Sequence, residues 1–245
     1  MSAKKYGLIG YPLGHSISPL IHSEIFMKTS CGGEYSLYEI KPGEFDVLSS
    51  LEGFNVTIPY KELIITYCDK LDRSADCGAV NCVKGKTGYN TDVYGFEKAI
   101  KALGADLGSR VCLLGYGGAG KMVAHTVKKA GGELTVATRE NINELKGEFD
   151  LLVNSTPVGM HPNADFSPID FENISANFVL DLIYNPAETT LLSPAKIKGA
   201  KVQNGLIMLV WQAIKSHEIW YGGKLSEDDA DEIIKTVQKT AASLS

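Results

Sequence analysis

No stretch of this chain approaches the roughly 20 apolar residues that a membrane span needs. The opening segment MSAKKYGLIG has two lysines but no apolar run long enough for a signal peptide. Both absences point to the cytoplasm and away from a membrane partner. Cysteine is scarce. Five residues, at 31, 68, 77, 82 and 112, form no Cys-x-x-Cys pair and make an odd count. Neither a disulfide framework nor a zinc site follows from that spacing. Cys112, inside the apolar run VCLLG, reads as a small core residue. The five histidines are scattered without ligand spacing, so no metal is expected. A strong excess of one charge is also missing. The 24 basic and 29 acidic residues leave a net charge of −5, which gives no support to nucleic-acid binding. No repeat or low-complexity segment occurs.

What is present describes a soluble globular protein of one large or two modest domains: 245 residues, 44% apolar and 22% charged. The pattern alternates. KYGLIG, GEYSLYEI and GFNVTI read as strands, with SPLIHSEIFMKT a helix capped by Ser18 with Pro19 at its first position. EFDVLSSL, YKELIITYC and LDRSADCG read as short helices. AVNCVKGKTGYNTD reads as a hairpin with a Lys-Thr-Gly turn, and VYGFEKAIKALG as a helix ended by Gly104. From RVCLLG onward the alternation tightens. ELTVATR, LLVNST, FVLDLIY and AKVQN follow as strands, with TTLLSPAKIKG helical. LIMLVWQAIKSHEIWYG and SEDDADEIIKTVQKTAASL close the chain as two helices. The fold class is α/β, with a Rossmann-type, doubly wound parallel sheet in the second half.

The strongest physical signal is LLGYGGAGKMVA. A buried strand ends at Gly115, and Gly117 and Gly120 complete Gly-x-Gly-x-x-Gly at the opening of a helix. The first glycine allows a sharp turn, the second lets a pyrophosphate approach the backbone, and the third lets helix and strand pack closely. The helix start then offers free N–H groups to phosphate. The same residues fit the opening of a P-loop, but the position that should hold magnesium is Met122, which cannot. The next strand ends at Thr138-Arg139, where an NAD-preferring domain places an acid. A guanidinium there suits a 2′-phosphate and favours NADP over NAD. Glu140 opposes that preference if it turns inward. Strand alternation would send it away from the ribose if Arg139 faces it.

In FNVTIPYKELI, Lys61 reads by residue type alone as a solvated surface lysine. The chain nevertheless resembles the shikimate dehydrogenase family over nearly its whole length. GHSISPLIH matches the family's Ser-x-Ser motif at Ser16 and Ser18. NVTIPYK matches Asn-Val-Thr-x-Pro-x-Lys at Asn55, Thr57 and Lys61. GAVN ends at Asn81, and GYNTD supplies Asn90, Thr91 and Asp92. GYGGAG is similar to the nucleotide loop and includes Gly118 and Ala119. NSTPVGM brings Thr156 and Met160, DLIYNPAETTLL matches a Tyr-x-Pro-x-x-Thr block beginning at Tyr184, and NGLIMLVWQA brings Gly205, Met208 and Gln212. Two features depart from the pattern: Thr-Arg-Glu stands where Asn-Arg-Thr is usual, and the chain is somewhat short.

The resemblance implies reduction of 3-dehydroshikimate to shikimate, with Lys61 and Asp92 facing the substrate as the catalytic pair. An ammonium near the carbonyl can polarise it and donate a proton. Ser16, Ser18 and Tyr184 would hold the carboxylate. Thr57, Asn81, Asn90 and Gln212, which donate and accept, would read the hydroxyls. Gly115, Gly117, Gly118, Ala119, Gly120, Thr138, Arg139, Thr156, Gly205 and Met208 would hold NADP. The implied architecture is a substrate domain over 1–93, joined by C-terminal helices 207–245, and a dinucleotide domain over 94–206, with the active site between them. The chain would act as a monomer or homodimer. Two alternatives stay open: a quinate/shikimate dehydrogenase that also takes NAD, and a non-catalytic regulatory relative.

Overall fold

A computed structural model of the chain describes residues 4–14, 16–41 and 44–244. His15 of the GHSISPLIH segment lies outside the described residues. In chain order the first elements are β1 (Lys5–Gly10), α1 (Ser18–Thr29), β2 (Glu34–Glu39), β3 (Gly53–Val56), β4 (Lys70–Leu71), β5 (Cys82–Lys84), β6 (Thr87–Tyr89) and α2 (Thr91–Leu103). Then come β7 (Arg110–Leu114), α3 (Gly118–Lys129), β8 (Glu133–Ala137), β9 (Gly147–Asn154), β10 (Ile174–Asp181), α4 (Leu192–Ile197), β11 (Lys201–Gln203), α5 (Leu206–Tyr221) and α6 (Glu227–Leu244). The described residues divide into two compact units. One takes the chain up to Gly95 and again from Val210, and the other takes Phe96–Leu209.

The first unit holds a six-stranded sheet in the order β2-β1-β3-β5-β6-β4. β1 pairs in parallel with β2 and β3, while β3, β5 and β6 run antiparallel in turn. β1 and β3 are buried at nearly every position, as strands covered on both faces are. The segments EFDVLSSL, YKELIITYC and LDRSADCG each contain only a five-residue 3-10 helix (Asp46–Ser50, Leu63–Tyr67, Arg73–Cys77). Such short connectors close i→i+3 bonds more readily than full α-turns. The expected hairpin is β5–β6. Its turn is Gly85-Lys86, not Lys-Thr-Gly, because the turn needs a positive φ and Gly85 supplies it at 58°.

The second unit holds a parallel five-stranded sheet in the order β11-β10-β9-β7-β8. The chain steps outward from β7 to β8 and then returns to β9 on the other side of β7. That reversal is the doubly wound order expected from the apolar runs. It opens a crevice at the carboxyl ends of β7 and β9, where ligands bind in such sheets. α3 packs on β7 and β8, and α4 on β10 and β11. Cys112, Leu114, Leu152, Val179 and Leu192 are buried together, so Cys112 is a core residue. Among the described residues, no helix is long and apolar enough to cross a membrane.

An aromatic cluster closes the first unit. His22 of α1 is fully buried, with its ring stacked on Tyr35 at 3.9 Å and on Trp220 at 5.3 Å between centroids. His217 of α5 stacks on Tyr221 at 4.6 Å. Neither ring nitrogen of His22, nor Nδ1 of His217, has a hydrogen-bond partner among the described residues. Burial pushes the His22 imidazole down to about 3, and the nearby His217 adds to that. Burial pushes His217 down to about 4.

Both rings are therefore neutral in the folded unit, while an unfolded chain takes up their protons below the ordinary value of 6.5. Their contribution to stability is full above that pH and is lost as the pH falls toward about 4 for His217 and about 3 for His22, at up to about 1.4 kcal/mol per pH unit for each ring. Urea unfolding followed by tryptophan fluorescence reports this unit, since Trp211 and Trp220 both belong to it. Below about pH 6.5 the wild type should lose stability more steeply than His22→Leu, by about one proton's worth of slope. Parallel curves would show that His22 is not the group that titrates.

Candidate active site

After β3 the chain turns sharply, and two bonds fix the turn. The Tyr60 N–H donates to the Thr57 carbonyl at 2.9 Å, and the buried Tyr60 hydroxyl donates to the Ile40 carbonyl at 2.6 Å. Lys61 follows with its carbonyl accepting from the Val80 N–H at 2.8 Å. Its stem is thereby aimed at the start of α2. Asp92 sits in the first turn of that helix, where the macrodipole favours a carboxylate. Lys61 Nζ lies 2.5 Å from Asp92 Oδ2, with the side chains only 18% and 10% exposed. Lys61 is thus no solvated surface lysine.

Side-chain amides hold this geometry. Asn81 Oδ1 accepts from the Thr91 N–H at 2.6 Å and from the Thr91 hydroxyl at 3.1 Å, which caps α2. Asn90 Oδ1 accepts from the Asp92 N–H at 3.1 Å. Asn90 Nδ2 donates to the Ala79 carbonyl at 2.9 Å and meets Cys77 Sγ at 3.1 Å. Both ends of that amide are engaged within the protein, so Asn90 braces the start of α2 at Asp92. Asn55 is engaged likewise, accepting from the Tyr35 hydroxyl and donating to Ser216 Oγ at 2.8 Å. Gln212 is buried beside Asn81, whose Nδ2 lies 3.5 Å from Gln212 Oε1. Thr57, at one end of the turn after β3, is half-buried.

Ser16 and Ser18 are adjacent in space, with their hydroxyl oxygens 3.1 Å apart. Ser18 is the first residue of α1 and not its cap. Ile17 holds the cap position, without a side-chain cap bond. The helix therefore leaves the Ser18 hydroxyl to Ser16.

In the second unit, Gly115 leaves β7 with φ 88°, a region closed to most side chains. A Cβ on Gly120 would lie 2.6 Å from the Gly115 carbonyl oxygen, so helix and turn touch there. Gly117 and Gly118 differ: a Cβ on either meets nothing within 4 Å. Gly117 is the N-cap of α3, with no side-chain cap bond, and Ala119 follows in the first turn. An uncapped helix start facing open space is what a pyrophosphate needs, and so this loop fits a dinucleotide.

Beyond the glycine turn, Ser155 Oγ donates to the Leu114 carbonyl at 2.9 Å or the Gly115 carbonyl at 3.2 Å. The Thr156 hydroxyl donates to Asn154 Oδ1 at 2.7 Å. Asn154 Nδ2 donates to Asp181 Oδ1 at 3.0 Å, and the Thr189 hydroxyl to Asp181 Oδ2 at 2.7 Å. Burial raises the Asp181 carboxyl above its ordinary value, against the opposing pull of the Thr189, Ile183 and Asn154 donors. Of this group only Thr156 was expected. The signal for the others was a polar residue ending each of two apolar strands, LLVN and FVLD.

Strand β8 stops at Ala137. Thr138 to Ile142 form a turn in which the Asn141 and Ile142 N–H groups donate to the Thr138 carbonyl, and Asn141 Oδ1 accepts from the Thr138 N–H at 2.7 Å. The expected alternation of Arg139 and Glu140 therefore fails, since alternation belongs to strands. Both residues are exposed. Tyr184 is half-buried on the loop after β10, and Met208 is buried on α5. Gly205 packs so closely that a Cβ would lie 2.1 Å from the Leu182 carbonyl oxygen. The structure thus gathers Lys61, Asp92, Asn81 and Gln212 in the first unit, and the glycine turn with Thr156 in the second.

Residues 8–83 match the family model for the shikimate dehydrogenase substrate binding domain. The shikimate dehydrogenase (NADP(+)) of Caldanaerobacter subterraneus subsp. tengcongensis is 36% identical, covering 96% of this chain and 97% of that one. A chorismate mutase/shikimate 5-dehydrogenase fusion protein from Clostridium acetobutylicum has a TM-score of 0.89 at 35% identity, covering 99% of this chain and 100% of that chain. Shikimate 5-dehydrogenase from Thermus thermophilus, solved in complex with NADP(H) and shikimate, has a TM-score of 0.84 at 31% identity, covering 96% of this chain and 99% of that chain.

The glycines should separate in a stability assay. Gly120→Ala drives a methyl into backbone and should cost about 1–3 kcal/mol. Gly117→Ala meets nothing at φ −78° and should stay within about 0.5 kcal/mol of wild type. Calorimetric unfolding of both variants checks this, and equal losses would show that Gly120 is not a packing contact.

Proposed function

The chain belongs to the shikimate dehydrogenase family, and we propose that Lys61 and Asp92 carry the proton transfer of the family's reaction in it. That reaction is the reversible, NADP-dependent reduction of 3-dehydroshikimate to shikimate, an oxidoreductase step in aromatic amino-acid biosynthesis. The observation that carries the assignment is the 2.5 Å contact between Lys61 Nζ and Asp92 Oδ2, held from both backbones.

When bound, the reduced nicotinamide supplies the hydride. The residues of this chain do the rest. Reduction turns a ring carbonyl into an alkoxide that needs a proton, and Lys61 Nζ polarises that oxygen and donates to it. Asp92 keeps the ammonium in place. The paired hydroxyls of Ser16 and Ser18 suit the substrate carboxylate, while Thr57, Asn81 and Gln212 suit its ring hydroxyls. In the second unit, the turn from Gly115 to Gly120 and the start of α3 would hold the pyrophosphate, with Thr156, Gly205 and Met208 as further contacts. Arg139 would meet the 2′-phosphate. The free cysteines fit a reducing compartment, in keeping with a cytoplasmic enzyme.

Lys61→Ala should lower turnover at least ~10²-fold, the usual contribution of a general acid, with a much smaller change in shikimate affinity. Nicotinamide absorbance during shikimate oxidation measures both, and near-normal turnover would remove Lys61 from the mechanism.

Arg139→Ala should weaken NADP binding about tenfold, since a charge-assisted pair in an exposed turn lies at the low end of its range, and should leave NAD within about twofold. Glu140→Thr should improve NADP about two- to threefold, because no strand alternation turns that carboxylate away. Fluorescence titration of each variant with both cofactors decides it. An equal loss of both cofactors in Arg139→Ala would mean that the side chain does not read the 2′-phosphate.

A further inference from the structure

Asn154 and Asp181 are register partners at the carboxyl ends of β9 and β10, and both are fully buried. A carboxylate there is costly unless donors surround it. Three do: Asn154 Nδ2 and the Ile183 N–H, each 3.0 Å from Oδ1, and the Thr189 hydroxyl, 2.7 Å from Oδ2. A carboxylate only accepts, so it takes the amino end of the Asn154 amide. The carbonyl end must then face the opposite way. That end accepts the Thr156 N–H at 3.0 Å and the Thr156 hydroxyl at 2.7 Å. Between them, Ser155 joins the same loop to the Leu114 and Gly115 carbonyls.

We propose that Asp181, by fixing the direction of the Asn154 amide, is a positioning residue for the dinucleotide: it sets Thr156 and the loop that braces the Gly115 turn. The proposal rests on the reading that this crevice holds NADP. Without Asp181 the Asn154 amide could turn end for end, and its amino group would oppose the Thr156 donors. The Thr156 loop would then adopt more than one arrangement beside the glycine turn, and cofactor binding would bear the cost of selecting one.

The test uses Asn154→Asp. It keeps an acceptor toward Thr156 but sets two acceptor-only groups face to face. One shared proton restores a donor between them, so the defect should be reversible with acid. Fluorescence titration with NADPH should show binding about tenfold weaker than wild type at about pH 8.5, recovering to within about threefold of wild type at about pH 5.5. The shikimate KM at saturating NADP+ should stay within about twofold of wild type throughout, as expected of an effect confined to cofactor binding. Wild-type affinity at both pH values, or a loss equal at both, overturns the proposal. Asn154→Ala adds no charge and carries the test if Asn154→Asp does not fold. It should bind NADPH about tenfold more weakly at either pH, and a folded variant with wild-type affinity overturns the proposal. A wild-type chain that failed to bind NADPH would overturn the nucleotide reading itself, and the proposal with it.

Discussion

An ammonium and a carboxylate held 2.5 Å apart and mostly out of water are the constraint around which the first unit is arranged. Desolvating the two groups is unfavourable, and their attraction compensates only when the geometry is held and the remaining polar atoms are satisfied. The structure meets that condition from both backbones. Tyr60, anchored through its hydroxyl to Ile40, and the Val80 N–H fix the Lys61 backbone, while Asn81 and Asn90 fix the first turn of α2. The polar chain continues inward from Thr91 to Ser216, from Ser216 to Asn55, and from Asn55 to Tyr35. Tyr35 stacks on His22, so the network ends in the aromatic cluster formed with Trp220. The region from Val210 onward thus supplies both core and network to the unit that bears Lys61 and Asp92.

The second unit solves a different problem with similar parts. A site for an anionic dinucleotide has to be open at the backbone and rigid behind it. Openness comes from Gly117 and Gly118, whose missing side chains leave clear space at an uncapped helix start. Close packing comes from Gly120, which lets α3 approach the Gly115 carbonyl, and from Ser155, which ties the loop after β9 to the Leu114 and Gly115 carbonyls. Asn154 and Asp181 stand at the carboxyl ends of parallel strands, where the ladder stops and backbone groups need side-chain partners. The same address in a doubly wound sheet is where ligands enter.

Some of this was legible in the residues. The run RVCLLGYGGAGKMVA carries a buried strand, three spaced glycines and a helix within one short window, so local rules sufficed to place the turn, and the structure adds only the distances. Lys61 was legible through the resemblance of NVTIPYK and not through its residue type. The connectors were less legible. EFDVLSSL and YKELIITYC have helical composition, yet each forms only a five-residue 3-10 helix. ELTVATR reads as one strand through Arg139, yet Asn141 draws its side chain back to the Thr138 N–H and ends the strand at Ala137.

The fold class, the glycine turn after β7 and, through the motifs, the family were readable from the residues alone. Each of these depends on residues close together in the chain or on a motif order that survives without coordinates. The partner of each buried amide, by contrast, depends on groups distant in the chain. Asn81, Asn90, Asn55 and Asn154 are the same residue type, and nothing local distinguishes a helix cap, a brace for Asp92, a link to Ser216 and a partner for Asp181. The physical reason is that a side-chain amide has both a donor and an acceptor end, and only the groups the fold brings to it choose between them.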